Sequence, residues 1–283
     1  MNFNNKKIIK YGAIGILSAF FGIWLLTYIA RPIQTIHSFS VVNFNSIGTD
    51  TLVVFDVDET LIQPTDTYSI NEHTPQGEKF RKKLLLKHPE IKNWDIYADI
   101  SLREVQRPLV EPMIIQKISQ LQARGVRVIA CTFMNTGKYG PLEKMEAWRY
   151  EHLKSLGFQG SFSDLIIDVP LTNRKPVFYK GVLATDTLLK GPVIMAFLDA
   201  IQYVPKKIIM FDDSIEYLES TLAECKKRNI TFQGYLYTRA IAKPWDEELI
   251  EFQAEYLIQH KKWLTDDEAR ALMDQQKQFA YAK

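Results

Sequence analysis

The chain has 283 residues, enough for one large domain or one domain carrying insertions. Hydrophobic residues make up 46% and charged residues 24%, ordinary values for a globular protein. The 35 basic and 33 acidic side chains leave a net charge of +2, which gives no ground for a nucleic-acid partner, and two cysteines, Cys131 and Cys225, exclude a disulfide framework or a cysteine zinc site.

Residues 1–10 form a basic tail with Lys6, Lys7 and Lys10. Tyr11–Ala30 follows without a charge; twenty such residues rise about 30 Å as a helix, the thickness of a bilayer core. The run is longer than a signal-peptide core, and Tyr28-Ile29-Ala30 is a poor cleavage site. The expectation is a single-pass, uncleaved signal-anchor helix in a bacterial inner membrane. The basic flank places the amino end in the cytoplasm and the rest of the chain on the periplasmic side. Secretion after signal cleavage is the alternative.

Arg31–Asp50 reads as a linker, with Pro32, Gly48 and scattered Ser and Asn. The main domain is expected over residues 51–240. It opens with "TLVVFDV", a buried strand by length and β-branching. Gln63–Arg107 is polar and broken by Pro64, Pro75 and Pro89, and reads as an insertion holding helix-compatible pieces. "MIIQKISQLQARG" has helical spacing and stops at Gly125. "VRVIACT" is a strand, "LEKMEAWRYEHLKSLG" a helix, and "DLIIDV" a strand. Residues 176–188 alternate like a hairpin and are expected to form a flap. "GPVIMAFLDAI" is a helix, "KKIIMFDDS" a strand, "SIEYLESTLAECKKRN" a helix and "ITFQGYLYT" a strand. Residues 241–283 read as a helical extension that restarts at a capping box, Thr265 to Glu268. Strands alternating with helices predict an α/β fold: a parallel sheet with helices on both faces, and ligands beyond the carboxyl ends of its strands.

The unusual residues fall at those ends. In "LVVFDVDETLI", Asp56 and Asp58 lie two apart in an extended segment and face the same way, leaving Glu59 turned aside. A carboxylate can act as a nucleophile toward phosphorus, and a second can move the proton. "IIMFDDS" places Asp212 and Asp213 after another apolar run. Four carboxylates at two strand ends repel one another unless a cation sits among them, and Mg²⁺ takes oxygen ligands. Asp213 is favoured as the direct ligand, with Asp212 nearby or through water. The pair also suits a helix cap, as does Ser214. Thr132 ends the next strand with a hydroxyl suited to a phosphate oxygen. Lys190 opens a helix and would bind phosphate as a point charge; Lys180 is its rival. Cys131 reads as core, His73 and His88 as surface, and Trp94, Tyr97, Phe178 and Tyr179 as packing.

Together these stretches resemble the haloacid dehalogenase-like (HAD) superfamily, and "VVFDVDETLI" matches its first motif in full. The chain looks like membrane-anchored or exported bacterial members of that group. The resemblance spans roughly Thr51 to Thr238. It implies a Rossmann-like sheet with a cap inserted after the first strand, here 63–107. It implies a Mg²⁺-dependent phosphomonoester hydrolase with Asp56 as nucleophile and Asp58 as general acid and base. Thr60 would fix the loop, and the Asp58 backbone carbonyl would reach the metal. Thr132 and Lys190 would hold phosphate, with Asp212 and Asp213 at the metal. The substrate would be a small phosphorylated molecule. Phosphotransfer on the same site, or a catalytically idle membrane-tethered binding protein, are the other readings.

Overall fold

The computed structural model describes residues 32–169, 171 and 174–281. The basic tail and the expected anchor at Tyr11–Ala30 lie outside the described residues. Among the described residues, no helix is long and apolar enough to cross a membrane.

The strands are β1 (Ile33–Ile36), β2 (Thr51–Asp56), β3 (Arg127–Thr132), β4 (Ile166–Asp168), β5 (Val177–Tyr179), β6 (Val182–Ala184), β7 (Lys207–Asp212) and β8 (Thr231–Tyr237). They form one eight-stranded sheet in the order β1-β8-β7-β2-β3-β6-β5-β4. Every pair from β1 to β6 in that order is parallel; β6–β5 and β5–β4 are antiparallel. The protein is thus a mixed α/β fold with a mostly parallel sheet, as its sequence pattern predicts. β2 lies at the centre between β3 and β7, and all its residues are buried. That is why it reads as an unbroken apolar run rather than an alternating one.

The helices are α1 (Thr67–Asn71), α2 (Pro75–Lys87), α3 (Asp95–Glu104), α4 (Met113–Ala123), α5 (Met145–Ser155), α6 (Lys190–Ala200), α7 (Ile215–Lys227), α8 (Glu247–His260) and α9 (Asp266–Tyr281). Val53 and Phe55 of β2 pack with Ile114, Ile118 and Leu121 of α4 and Leu153 of α5. Leu52 and Val54 pack instead with Val193 and Phe197 of α6 and Leu218 of α7. The period-two alternation of the strand therefore feeds two separate apolar cores.

The stretch expected to be a linker is partly built into the sheet. β1 pairs in parallel with β8, Ile33 opposite Gly234, and Phe39 and Phe44 are buried. Phe39 stacks on Tyr237 at 4.4 Å between ring centres and meets Phe55 and Phe211 edge-on. The buried Glu111 carboxylate accepts bonds from the Phe39 N–H (2.9 Å), the Ser38 hydroxyl (2.7 Å) and the Tyr237 hydroxyl (2.7 Å). β1 is four residues long and its hydrogen-bonding partner lies some 200 positions later, so no local pattern marks it.

The hairpin expected over 176–188 forms, but as two strands of the sheet rather than as a flap. β5 and β6 are sheet strands, Val182, Leu183 and Ala184 are wholly buried, and β6 pairs with β3. Apolar residues on both arms bury a hairpin, whereas a flap needs a wet face.

Residues 63–107 and the carboxyl-terminal helices share one core. Tyr68, Phe80, Leu84 and Ile100 pack with Ile250, Ala254, Leu257 and Trp263. The Trp263 indole N–H donates to Asp66 (2.9 Å), and the Thr67 N–H and hydroxyl donate to Asp266. The Thr265–Glu268 capping box forms as its spacing predicts, with reciprocal bonds of 2.9 and 3.2 Å.

Candidate active site

β2, β3 and β7 run parallel, so Asp56, Thr132 and Asp212 all end at the same edge of the sheet. The chain leaves β2 toward β3 on one side and returns to β7 on the other. Such a switch point opens a crevice beyond the strand ends. Lys190 is the first residue of α6 and has no exposed surface. Its ammonium donates to Asp56 Oδ1 and to Asp212 Oδ2, the latter at 2.7 Å. The other Asp212 oxygen accepts the Ser214 N–H at 2.9 Å, just before α7, whose first turn has no side-chain cap. A cation at a helix amino terminus opposes the helix dipole; here two carboxylates outweigh that.

Asp56, Asp212 and Asp213 each offer a carboxylate oxygen, and all lie within 4.8 Å of one another; the first two are buried and Asp213 is exposed. Burial pushes Asp56 up to about 7 despite Lys190, and the neighbouring Asp212 adds to the rise. Asp213 is exposed as a whole residue, but the desolvation of its carboxyl at the cavity, together with Asp56, pushes it up to about 7. Burial also raises Asp212, against the pull of Lys190. In Lys190 burial is outweighed by the two carboxylates, which hold the ammonium charged. An all-oxygen donor set with too little positive charge nearby fits a hard divalent cation. The pairing of Asp213 with Asp212 expected from sequence is therefore tighter than "nearby", since both contribute to one oxygen cluster.

Asp58 stands apart from that cluster. Its two oxygens meet Arg149 Nη2 at 3.1 Å, and Oδ2 accepts the Thr132 hydroxyl at 3.3 Å. Burial would raise Asp58, but the Arg149 and Arg107 guanidiniums win and hold it below the usual carboxylate range. The Asp58 side chain is thus committed to Arg149 rather than to the metal-ready oxygens. Thr132 is wholly buried and bonded to Asp58, so its hydroxyl is engaged before any phosphate arrives.

The loop after β2 is closed by backbone bonds: the Leu61 and Ile62 N–H groups both donate to Val57 O at 2.9 Å. The buried Thr60 hydroxyl has no partner among the described residues. Glu59 takes a left-handed backbone, φ 59°. That turn reverses the alternation that would have pointed it away, and its side chain lines the cavity beside Asp56 and Asp58. Burial and the neighbouring carboxylates push it up to about 8.

The cavity above these residues has a volume of about 620 Å³. The strand ends form its floor. Tyr68, Trp94 and Arg107, from residues 63–107, line one wall, and Arg149 and Met145 of α5 another. A smaller cavity of about 330 Å³ lies at the opposite edge, by Thr51 and Lys207, away from the carboxylates.

Of the two candidate lysines, Lys190 joins the site. Lys180 sits in the β5–β6 turn at φ 49°, its ammonium 5.6 Å from the ring centres of Tyr150 and Tyr179. Cys131 is core, as expected. His73 is exposed and 3.3 Å from Glu72, and lines the cavity rim; His88 bridges Glu90 and Glu255. Phe178 stacks on Phe197 in the core, and Tyr97 stacks on Trp94. Sequence reasoning missed Arg149, Arg107 and Glu59. Arg149 carried a readable signal: it falls at i+4 from Met145 and i−4 from Leu153, on the buried stripe of α5.

The family model described as "Protein of unknown function (DUF2608)" matches residues 34–270. An uncharacterized protein of Rickettsia bellii is 26% identical over 206 residues, covering 68% of this chain and 70% of its own length. One of Rickettsia felis is 28% identical over 214 residues, covering 69% and 70%. One of Rickettsia prowazekii is 25% identical over 257 residues, covering 86% and 90%.

Proposed function

The chain belongs to the DUF2608 family, and from the chemistry of its strand ends we propose that it is a Mg²⁺-dependent phosphomonoester hydrolase of HAD-like type. The observation that carries this reading is the buried Asp56–Lys190–Asp212 bridge at the carboxyl ends of β2 and β7, with Asp213 completing an oxygen cluster 4.8 Å across. Solvated turns do not bury a lysine between two carboxylates; isolated charges cost too much inside a protein. We read the sheet as Rossmann-like and residues 63–107 as its cap.

In this reading Asp56 attacks phosphorus, and the bond to the leaving oxygen breaks as the aspartyl-phosphate bond forms. In the first step Asp58 must be protonated, against the pull of Arg149 and Arg107, to give a proton to the leaving oxygen. It then takes one from the water that attacks phosphorus and releases Asp56. Arg149 and Arg107 favour the carboxylate form of Asp58, the form the second step uses. Lys190, buried beneath the cavity, offsets the charge of Asp56 and would in this reading attract the phosphate. Asp56, Asp212 and Asp213 would hold Mg²⁺, which when bound neutralises phosphate charge. The cap wall excludes water and selects the leaving group. The amino-terminal segment, with its basic flank, would tether the domain on the exported side of the inner membrane.

The test uses the full chain, because a fragment that starts after Ile36 loses β1. p-Nitrophenyl phosphate and a panel of phosphorylated metabolites are assayed with Mg²⁺, beside Asp56→Asn. The expected result is turnover that the substitution abolishes and that a chelator suppresses. Equal background rates for both proteins across the panel would overturn the enzyme reading in favour of a binding protein.

A further inference from the structure

The side of the cavity next to Asp58 is basic in a way the hydrolytic reaction does not need. Arg149 is 3% exposed, and only Nη2 is engaged, with Asp58. Its Nε and Nη1 are buried and have no hydrogen-bond partner among the described residues. One turn further along α5, His152 Nδ1 is in the same condition. Arg107 is 8% exposed and lines the same cavity from the wall of residues 63–107, its Nη1 anchored on the carbonyls of Leu102 (2.6 Å) and Val105 (3.2 Å). Two buried guanidiniums therefore line one cavity beside Asp58; Arg149 alone bonds that carboxylate, and two donors of Arg149 are unmatched.

A buried guanidinium with two unmatched donors is costly, because those N–H groups have lost water and gained no partner. Planar, always-charged forks of this kind suit carboxylates and phosphates, which accept bonds from two nitrogens at once. The position matters as much as the charge. Asp58 is the group that hands a proton to the leaving oxygen, so what surrounds Asp58 surrounds the leaving group. We propose that Arg107 and Arg149 form a second anion site on the leaving-group side of the cavity. The substrate would then be a phosphomonoester whose alcohol carries its own carboxylate or second phosphate within a few bonds of the bridging oxygen. The substrate part of this inference rests on the hydrolase reading; the anion site does not.

Four esters on one three-carbon skeleton test it: the phosphates of 1-propanol, 3-aminopropanol and 3-hydroxypropionate, and 1,3-propanediol bisphosphate. Binding of each to the full-length Asp56→Asn protein is measured by calorimetry with Mg²⁺. The carboxylate and bisphosphate esters are expected to bind about tenfold or more tighter than the neutral ester, and the amino ester most weakly. The tighter of the two anionic esters identifies which anion the site prefers. Arg107→Met in the same background is expected to shrink the anionic-to-neutral ratio to within about threefold. A neutral ester that binds as tightly as the anionic ones would overturn the proposal without any variant. So would a ratio unchanged in Arg107→Met. Turnover of the same esters by the wild-type chain is scored separately: no turnover with the binding preference intact removes the hydrolase reading and keeps the anion site.

Discussion

The floor of the cavity and its helical wall are held in place by different means. At and beneath the floor, Asp56, Thr132 and Asp212 are the last residues of three parallel strands, each with a neighbouring strand on both sides; of the three, Asp56 lines the cavity. The wall joins α1–α3 to α8 and α9 through side chains: Trp263 on Asp66, Thr67 on Asp266, and the apolar cluster around Tyr68 and Leu257. Backbone ladders place atoms within narrow limits and tolerate little change. Side-chain packing between separate helices can be reshaped without touching the sheet. In the proposed hydrolase, reactive groups would sit on the first and selective groups on the second, a division that would let one floor serve different substrates.

That contrast can be broken or sharpened by four substitutions. The largest effect is expected at the floor. Lys190→Met leaves Asp56 and Asp212 buried without their shared cation and should cost about 3–5 kcal/mol in denaturant unfolding. A loss under about 1 kcal/mol would mean that the bridge is not structural. Next, Trp263→Ala removes a buried ring and its bond to Asp66, for about 3 kcal/mol. Hydrogen exchange should then rise in α1–α3 and α8 while β2 and β7 stay protected. Simultaneous loss of protection in the sheet would make floor and wall one cooperative unit.

Glu111→Gln should cost about 1–3 kcal/mol by weakening the bonds that seat Phe39 and Tyr237. Burial would raise the Glu111 carboxyl, but the Phe39 N–H, the Ser38 and Tyr237 hydroxyls and Arg239 together hold it below its ordinary 4.5. Its contribution is therefore complete above pH 4.5 and lost as pH falls through the lower folded value, a slope that the variant should lack. The smallest effect belongs to His152, which burial, Arg149 and Arg107 push down to about 4 from 6.5. The unfolded chain takes up this proton first, so stability should fall between pH 6.5 and 4, and His152→Leu should flatten that interval in a pH series of unfolding midpoints.

The floor was legible because each of its residues ends a run that could only be a buried strand. "TLVVFDV" and "KKIIMFDDS" announced the positions of their carboxylates, and Lys190 was found by its place at a helix start. The wall was not legible, because its meaning depends on contacts between distant segments. Arg149 reads as a solvated helix residue unless it is set against Met145 and Leu153. Arg107 sits before Pro108 with no periodic pattern around it. Trp94 reads as packing, and it does stack on Tyr97, yet it also faces the cavity. Glu59 was misplaced by treating "DVDET" as extended, when a positive φ at that residue turns its side chain inward. β1 was missed for want of length: "IQTI" becomes a strand only because β8 offers it an open edge.

The central claim is that Asp56 becomes phosphorylated during turnover. Full-length protein is quenched while hydrolysing a phosphomonoester, reduced with borohydride and mapped by mass spectrometry; an acyl phosphate is converted to the corresponding alcohol. The account predicts homoserine at Asp56 and at no other acidic residue of the cavity. Turnover with Asp56 unmodified, or with the label on Asp58 or Asp213, would contradict it.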